Sequence, residues 1–174
     1  MGPPRVEITT GDITEQPDMD AVVNAANALL RSGGGVAGAI HRAAGPQLAQ
    51  ACAALAPIEP GQAVITQAFK LPNQFVIHCL GPVYGRDHPA AELLADCHRN
   101  ALRLAEQYKL RSVAFPALST GAFGYPLDEA ADVVAGVLAE QLPRLAHVRD
   151  IRFVLANERA SHIFNSTFRD QGLL

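Results

Sequence analysis

Asp20-Ala21-Val22-Val23-Asn24-Ala25-Ala26-Asn27, followed after five residues by Gly33-Gly34-Gly35-Val36-Ala37-Gly38, is the stretch whose reading decides the fold. The run Ala21–Val23 is apolar without alternation, which suits a central strand covered on both faces. Three consecutive glycines let a backbone approach a ligand closely and adopt φ > 0 at no steric cost. A helix expected to begin near Gly38 would point free N–H groups and its positive dipole end at that loop. Strand, glycine loop and helix in this order suit a phosphate group; a flexible hairpin or linker is the plainer alternative.

Outward from this stretch, short apolar runs read as further strands: Val6–Thr9, alternating as a half-buried edge strand does, then Val64–Thr66, Phe75–Cys79, Ser112–Phe115 and Ile151–Leu155. Helical patterns separate them. Ala90, Leu93, Leu94, Cys97, Ala101, Leu104, Ala105 and Tyr108 form one apolar stripe. Leu127, Ala130, Val134, Val137, Leu138 and Leu142 form another, behind Asp128 and Glu129 in a first turn. Gly38–Ala44 and Ser161–Phe168 are shorter helical candidates. Alternating strands and helices predict an α/β sheet with helices on both faces. The connection Lys70–Gln74 is too short for a helical crossover, so its two strands should pair antiparallel and make the sheet mixed.

Gly33–Gly38 satisfies the letter of G-x-G-x-x-G, but not its context. That fingerprint needs a strand running straight into the glycines and an acid closing the next strand. Here Asn27–Ser32 intervene, and the next strand runs out at Phe69-Lys70. An NAD site is set aside on those grounds. A second loop follows the same logic as the first: Phe115-Pro116-Ala117-Leu118 leads into Ser119-Thr120-Gly121-Ala122-Phe123-Gly124-Tyr125-Pro126, ahead of a helix. Two such loops at strand ends can close over a diphosphate from both sides. Phe123 and Tyr125 have ordinary packing as their alternative role.

Composition narrows the function classes. With 49% hydrophobic and 18% charged residues, the 174-residue chain is expected to be one globular domain over 1–174, with residues 1–4 flexible. A net charge of −3 without a basic stripe gives no grip on nucleic acid, and no apolar run is long enough to span a membrane. Met1–Arg5 is too short and polar for a signal peptide. Cys52, Cys79 and Cys97 form no Cys-x-x-Cys pair and read as reduced thiols of a cytoplasmic protein. Neither a metal nor a cofactor is expected.

Gly11-Asp12-Ile13-Thr14, Asp20–Asn27, the triple glycine, Ile40-His41-Arg42-Ala43-Ala44-Gly45-Pro46, Val76–Pro82 and Phe115–Pro126 together closely resemble the macro domain family, and within it the MacroD-type branch. The resemblance runs from about Val6 to Phe168. It implies a three-layer α/β/α sandwich around a six-stranded mixed sheet, with ADP-ribose in a cleft at the sheet's crest. By position, Asp12 would accept from the adenine amino group, with Ile13 beside the ring. Asn24 and Asn27 would lie near the distal ribose as the catalytic pair. Gly33, Gly34, Gly35 and Val36 would pass along the diphosphate, and Ser119, Thr120, Gly121, Ala122, Phe123 and Gly124 would form the opposite wall. The residue chemistry agrees: an amide donates to and accepts from ribose hydroxyls, and an ionised carboxylate suits an exocyclic amine. Asp12 can instead cap the turn at Ile13, and Asn24 can instead hold the strand-to-loop turn.

MacroD-type enzymes carry an aspartate in a Gly-Val-Asp-Gly loop, thought to position the attacking water; here that position is Ala37. Several viral and archaeal macro domains resemble this variant loop, and some of them still remove ADP-ribose from acidic side chains. The implied activity is hydrolysis of mono-ADP-ribose esters on proteins, with O-acetyl-ADP-ribose as a second ester substrate, slowed by the missing acid. The alternative is a reader of ADP-ribosylated proteins without turnover. His41 is a further candidate base whose plainer role is structural. Many relatives stack an aromatic on adenine near the end of the last strand, where Val154-Leu155-Ala156-Asn157-Glu158 has none.

Overall fold

The computed structural model describes residues 2–174. In chain order it contains β1 (Arg5–Thr10), β2 (Ala21–Ala25), α1 (Gly35–Ala44), α2 (Pro46–Ala53), β3 (Ala63–Gln67), β4 (Phe75–Cys79) and α3 (Ala90–Gln107). Then come β5 (Ser112–Phe115), α4 (Leu127–Gln141), β6 (Asp150–Leu155) and α5 (Glu158–Asp170). The strands form one six-stranded sheet in the order β1-β6-β5-β2-β4-β3. Every neighbouring pair is parallel except β3 and β4, the hairpin expected from its short connection.

β2 sits between β5 and β4, with Ala21, Val22 and Val23 fully buried, as its unbroken apolar run requires. Successive residues face opposite layers. Val22, Val76, Ala114 and Val154 pack with Ile40, Ala44, Leu48 and Cys52 of α1 and α2. Val23, Ile77, Phe115 and Phe153 pack with α3, α4 and α5 through Leu94, Leu138, Phe164 and Phe168. Phe115 stacks on Phe153 with ring centroids 5.3 Å apart, and Phe168 meets Phe153 edge-on. The result is the three-layer α/β/α sandwich.

Two local features, at α2 and α5, depart from the sequence reading. α2 was not anticipated; Gly45, at φ +88°, breaks α1, and Pro46 opens the new helix at a position where its missing N–H costs nothing. α5 begins at Glu158 rather than Ser161, because Asn157 Oδ1 accepts from the Ala160 amide at 2.9 Å and caps it. At the amino end, Pro4 is buried and the Gly2 carbonyl accepts from Arg149 Nη1 at 3.0 Å. A clamp fixes the approach to β6: the Glu106 carboxylate accepts from the backbone N–H groups of Ala146, His147 and Val148 at 2.6–2.8 Å.

Candidate functional site

The carboxyl ends of the five mutually parallel strands share one edge of the sheet, where ligands of open α/β sheets collect. That edge carries a cleft of about 350 Å³. Ala25, Ala26 and Asn27 come to it from the end of β2, Gly81 from beyond β4, and Ala117 and Ser119 from beyond β5. Gly33–Ala37 form one wall, and Gly121, Ala122 and Phe123 the other.

The first wall is itself a helix N-terminus. α1 begins at Gly35, three residues earlier than the sequence suggested, with Gly34 as its N-cap and no capping side chain. Gly38 N donates to Gly34 O at 3.3 Å, so the N–H groups of Gly35, Val36 and Ala37 have no helical partner. All three residues line the cleft. No acid occupies the first turn, while His41 and Arg42 lie in the last, so the positive dipole end is unopposed. Gly35 takes φ +57°, which glycine adopts without strain. Gly38 is required for a different reason: a Cβ there would lie 2.2 Å from the Gly33 carbonyl oxygen, which rests on the bare helix.

The second wall turns sharply. Ser119 holds φ +67°, a conformation that costs a non-glycine residue roughly 1–3 kcal/mol. Its buried Oγ has no partner among the described residues and packs on Gly81, where a Cβ would sit 2.1 Å away. Gly81 is therefore part of the wall's geometry. Phe123 is half-buried and its carbonyl accepts from Tyr84 N at 2.8 Å, tying the Pro82–His88 loop to this wall. Thr120 and Gly124 shape the turn but do not line the cleft: Thr120 Oγ1 donates to Ala117 O at 2.8 Å, and Gly124 takes φ +75°.

The two asparagines part company. Asn27 lines the cleft and holds its own loop, accepting from Arg31 N at 2.9 Å and donating to Arg31 O at 2.8 Å. One N–H and one lone pair of its amide stay free for a ligand. Asn24 is buried on the α1–α2 side of β2 and does not line the cleft. Its Nδ2 donates to His78 Nδ1 at 3.0 Å, which places the His78 proton on Nε2, facing Thr66 Oγ1 at 2.9 Å. Asn24 thus ties β2 to β4 across the sheet, a structural role other than holding the strand-to-loop turn. Burial, with the nearby His41, pushes the His78 pKa down to about 3. His41 is likewise held below its usual pKa by burial, and it does not line the cleft.

Asp12 and Ile13 stand at the carboxyl end of β1, beyond the cleft. Three strand spacings of about 4.8 Å separate β1 from β2, roughly 14 Å along the sheet edge. Asp12 Oδ1 accepts from Thr14 Oγ1 at 2.7 Å and Thr14 N at 2.9 Å, so Asp12 does cap the turn. Those two bonds lower its pKa and keep it ionised at neutral pH. Ile13 is buried in the α1–α2 layer.

The cleft contains no titratable side chain among the described residues; its side-chain polar groups are Asn27 and Ser119. Ala25, Ala26, Gly81 and Ala117 were not foreseen as lining residues. The pairing of β2 with β4 and β5 brings them together, and a linear sequence does not display that register.

Residues 23–134 match the macro domain family. The chain belongs to that family. It is 46% identical over 173 residues to an O-acetyl-ADP-ribose deacetylase of Salmonella typhimurium strain LT2, covering 97% of this chain and 96% of the relative. Among solved structures, the Oceanobacillus iheyensis macrodomain with ADP superposes with a TM-score of 0.89 at 40% identity, covering 94% of this chain and 89% of that one. A Trypanosoma brucei macrodomain in complex with ADP-ribose gives 0.87 at 34% identity, covering 93% of this chain and 68% of the other. Gly33–Ala37 on one side and Ser119, Gly121, Ala122 and Phe123 on the other are thus the walls of a macro domain cleft in this chain. No helix among the described residues of this macro domain is long and apolar enough to cross a membrane.

Proposed function

We propose that this macro domain binds ADP-ribose across the carboxyl edge of its sheet and hydrolyses esters at the distal ribose. The substrates are O-acetyl-ADP-ribose and mono-ADP-ribosyl groups on aspartate or glutamate side chains of proteins. The observation that carries the reading is the row of free N–H groups at Gly35, Val36 and Ala37, aimed into a cleft whose other wall starts at Ser119. Such a row suits a diphosphate. With the diphosphate there, the distal ribose meets Asn27, and adenine reaches along the edge toward Asp12, whose Oδ2 is left over from its turn. Gly34, Gly121 and Ala122 keep the walls close enough for main-chain contact.

Hydrolysis adds water across the ester, giving a free carboxylate and a ribose hydroxyl, and the one net proton passes to a side-chain base or, without one, to solvent water. The cleft supplies no base from its own side chains. The ligand's own phosphate then polarises the water while Asn27 orients the ribose. A positioned general base typically contributes 10²–10⁴-fold, so turnover is slower than in aspartate-bearing relatives. Incubation of excess protein with glutamate-linked ADP-ribosylated protein, and separately with O-acetyl-ADP-ribose, tests this. Release above buffer is expected from both. Tight binding of ADP-ribose without release would make the protein a reader, a role the absence of a titratable group also fits. Ala37→Asp should raise the rate; an unchanged or lower rate contradicts this account of the loop.

A further inference from the structure

Between Asp20 and Glu59 the sequence contains no acidic residue, although 17 of its 174 residues are Asp or Glu. This stretch builds the glycine wall, α1 and α2. Arg31 and Arg42, both exposed, are the arginines of this acid-free stretch, which Glu59 closes just past Ile58, and neither makes an ion pair among the described residues. Arg5, Arg99 and Arg152 do meet carboxylates, at Glu7, at Glu92, Asp96 and Glu140, and at Glu7 and Asp18. Arg31 and Arg42 bracket the first wall. Arg31 is bonded through its backbone to Asn27, and Arg42 Nη1 lies 3.0 Å from where a Gly38 Cβ would stand, beside the Gly33 carbonyl.

The same stretch exposes apolar surface. Leu29 is 48% exposed and Leu55 40% exposed. The bond from Ile58 N to Ala28 O, 2.9 Å, draws their two loops together. A cation-bearing, partly apolar face thus adjoins Asn27, the end of the cleft to which the proposed function assigns the distal ribose.

We propose that this face docks the polypeptide flanking the modified side chain, and that it selects flanks rich in carboxylates with an apolar residue among them. Arg31 and Arg42 pair with the flanking acids, and Leu29 and Leu55 cover the apolar one. The proposal rests on the ADP-ribose reading and adds to it a preference among protein substrates. Exposed ion pairs are individually weak, so two of them give a preference of about 3–10-fold at low salt, fading as salt screens them.

The test uses peptides carrying ADP-ribose through glutamine, an amide that stands in for the ester and resists hydrolysis, with acidic or neutral flanks. Free ADP-ribose is the reference. For the wild type, the acidic-flank peptide should bind about 3–10-fold tighter than the neutral one, and 0.5 M salt should remove most of the gap. The double variant Arg31→Glu, Arg42→Glu should lose or invert the gap, with both peptides compared with the same variant's affinity for free ADP-ribose; Arg31→Lys, Arg42→Lys should retain it. A gap that survives charge reversal overturns the proposal, as does an equal loss with free ADP-ribose. A wild-type dimer that the charge-reversed variant dissolves would assign the face to a second copy instead. A wild type that fails to bind free ADP-ribose sinks the functional reading itself, a different result from any of these.

Discussion

Replacing Gly38 with alanine separates the helix from the wall it supports. Alanine in a helix interior is favoured over glycine by about 1 kcal/mol, so on propensity alone the variant should be more stable. At this position the new Cβ would stand 2.2 Å from the Gly33 carbonyl oxygen, against the 3.0 Å that real Cβ contacts essentially never undercut. The Gly33–Gly34 segment must therefore move outward by at least about 0.8 Å, since the opposing atom is backbone and cannot rotate away. Overpacking strain of about 1–3 kcal/mol offsets the propensity gain and leaves stability unchanged or slightly lower. Gly33, Gly34 and Gly35 line the cleft, and a misplacement near 1 Å can cost as much as about 100-fold in a positioned site. Gly136→Ala is the matched control. It makes the same change in the interior of α4, where a Cβ meets nothing within 4 Å. That variant should gain up to about 1 kcal/mol, or about 2–4 °C in Tm, and bind ADP-ribose like the wild type. Calorimetric titration and thermal melts of both variants read the two quantities separately. Wild-type affinity in Gly38→Ala, alongside a stabilised Gly136→Ala, would refute the claim that the Gly33 carbonyl's seat on the helix sets the wall.

The remaining predictions concern charge. Burial holds the pKa of His78 at about 3 and that of His98 at about 4, the latter despite the bond from its Nδ1 to Leu94 O, whereas both titrate near 6.5 when unfolded. Stability should be full above pH 6.5 and fall as pH drops below it, by about 2 kcal/mol per histidine at pH 5. His98→Phe, which keeps the stack on Phe115, should roughly halve that slope in melts from pH 7.5 to 5, and an unaltered slope would remove His98 from the explanation. Burial pushes the Glu106 pKa up, but the N–H groups of Ala146, Val148 and His147 outweigh it and hold it lower. Its contribution is present at neutral pH and lost as pH falls through that lowered value; Glu106→Gln should cost about 1–2 kcal/mol at pH 7 and progressively less in acid. Asp12→Ala should weaken ADP-ribose binding in calorimetry, and equal affinity would confine Asp12 to its turn.

Much of this was legible in the residues, for reasons that also explain the errors. Strand type was readable because β2 is apolar without alternation while β1 alternates, and the β3–β4 pairing followed from a connection too short to cross the sheet. The start of α1 was misplaced because glycine is a poor helix former, so Gly35 looked like loop; the ligand-facing wall is where tertiary context overrides propensity. α2 spans eight residues, too few for a clear period, although Gly45-Pro46 carried its start signal. Asn24 is instructive. Strand alternation puts it on the face of Val22, toward α1 and α2, whereas Asn27 lies past the last strand residue and is free to turn into the cleft. Gly81 could not be found in this way, because its importance lies in Ser119, a residue brought to it only by neighbouring strands.

The composition of the cleft explains why an alanine at position 37 is compatible with a working binding site. Recognition there is carried mainly by main-chain groups: the N–H of Ala37 is free whatever its side chain, as are those of Gly35 and Val36. A carboxylate at this position would add chemistry to the cleft but would replace no donor. Binding and turnover are therefore separable by two adjacent substitutions. Ala37→Asp should change the rate more than the affinity for ADP-ribose, because it leaves the wall where it is and only opposes part of the helix dipole. Gly38→Ala should change affinity first, because it moves the wall and leaves the missing acid missing. If the two variants instead shifted affinity and rate in proportion, the loop would act as one unit, and the separation of phosphate binding from water activation would fail.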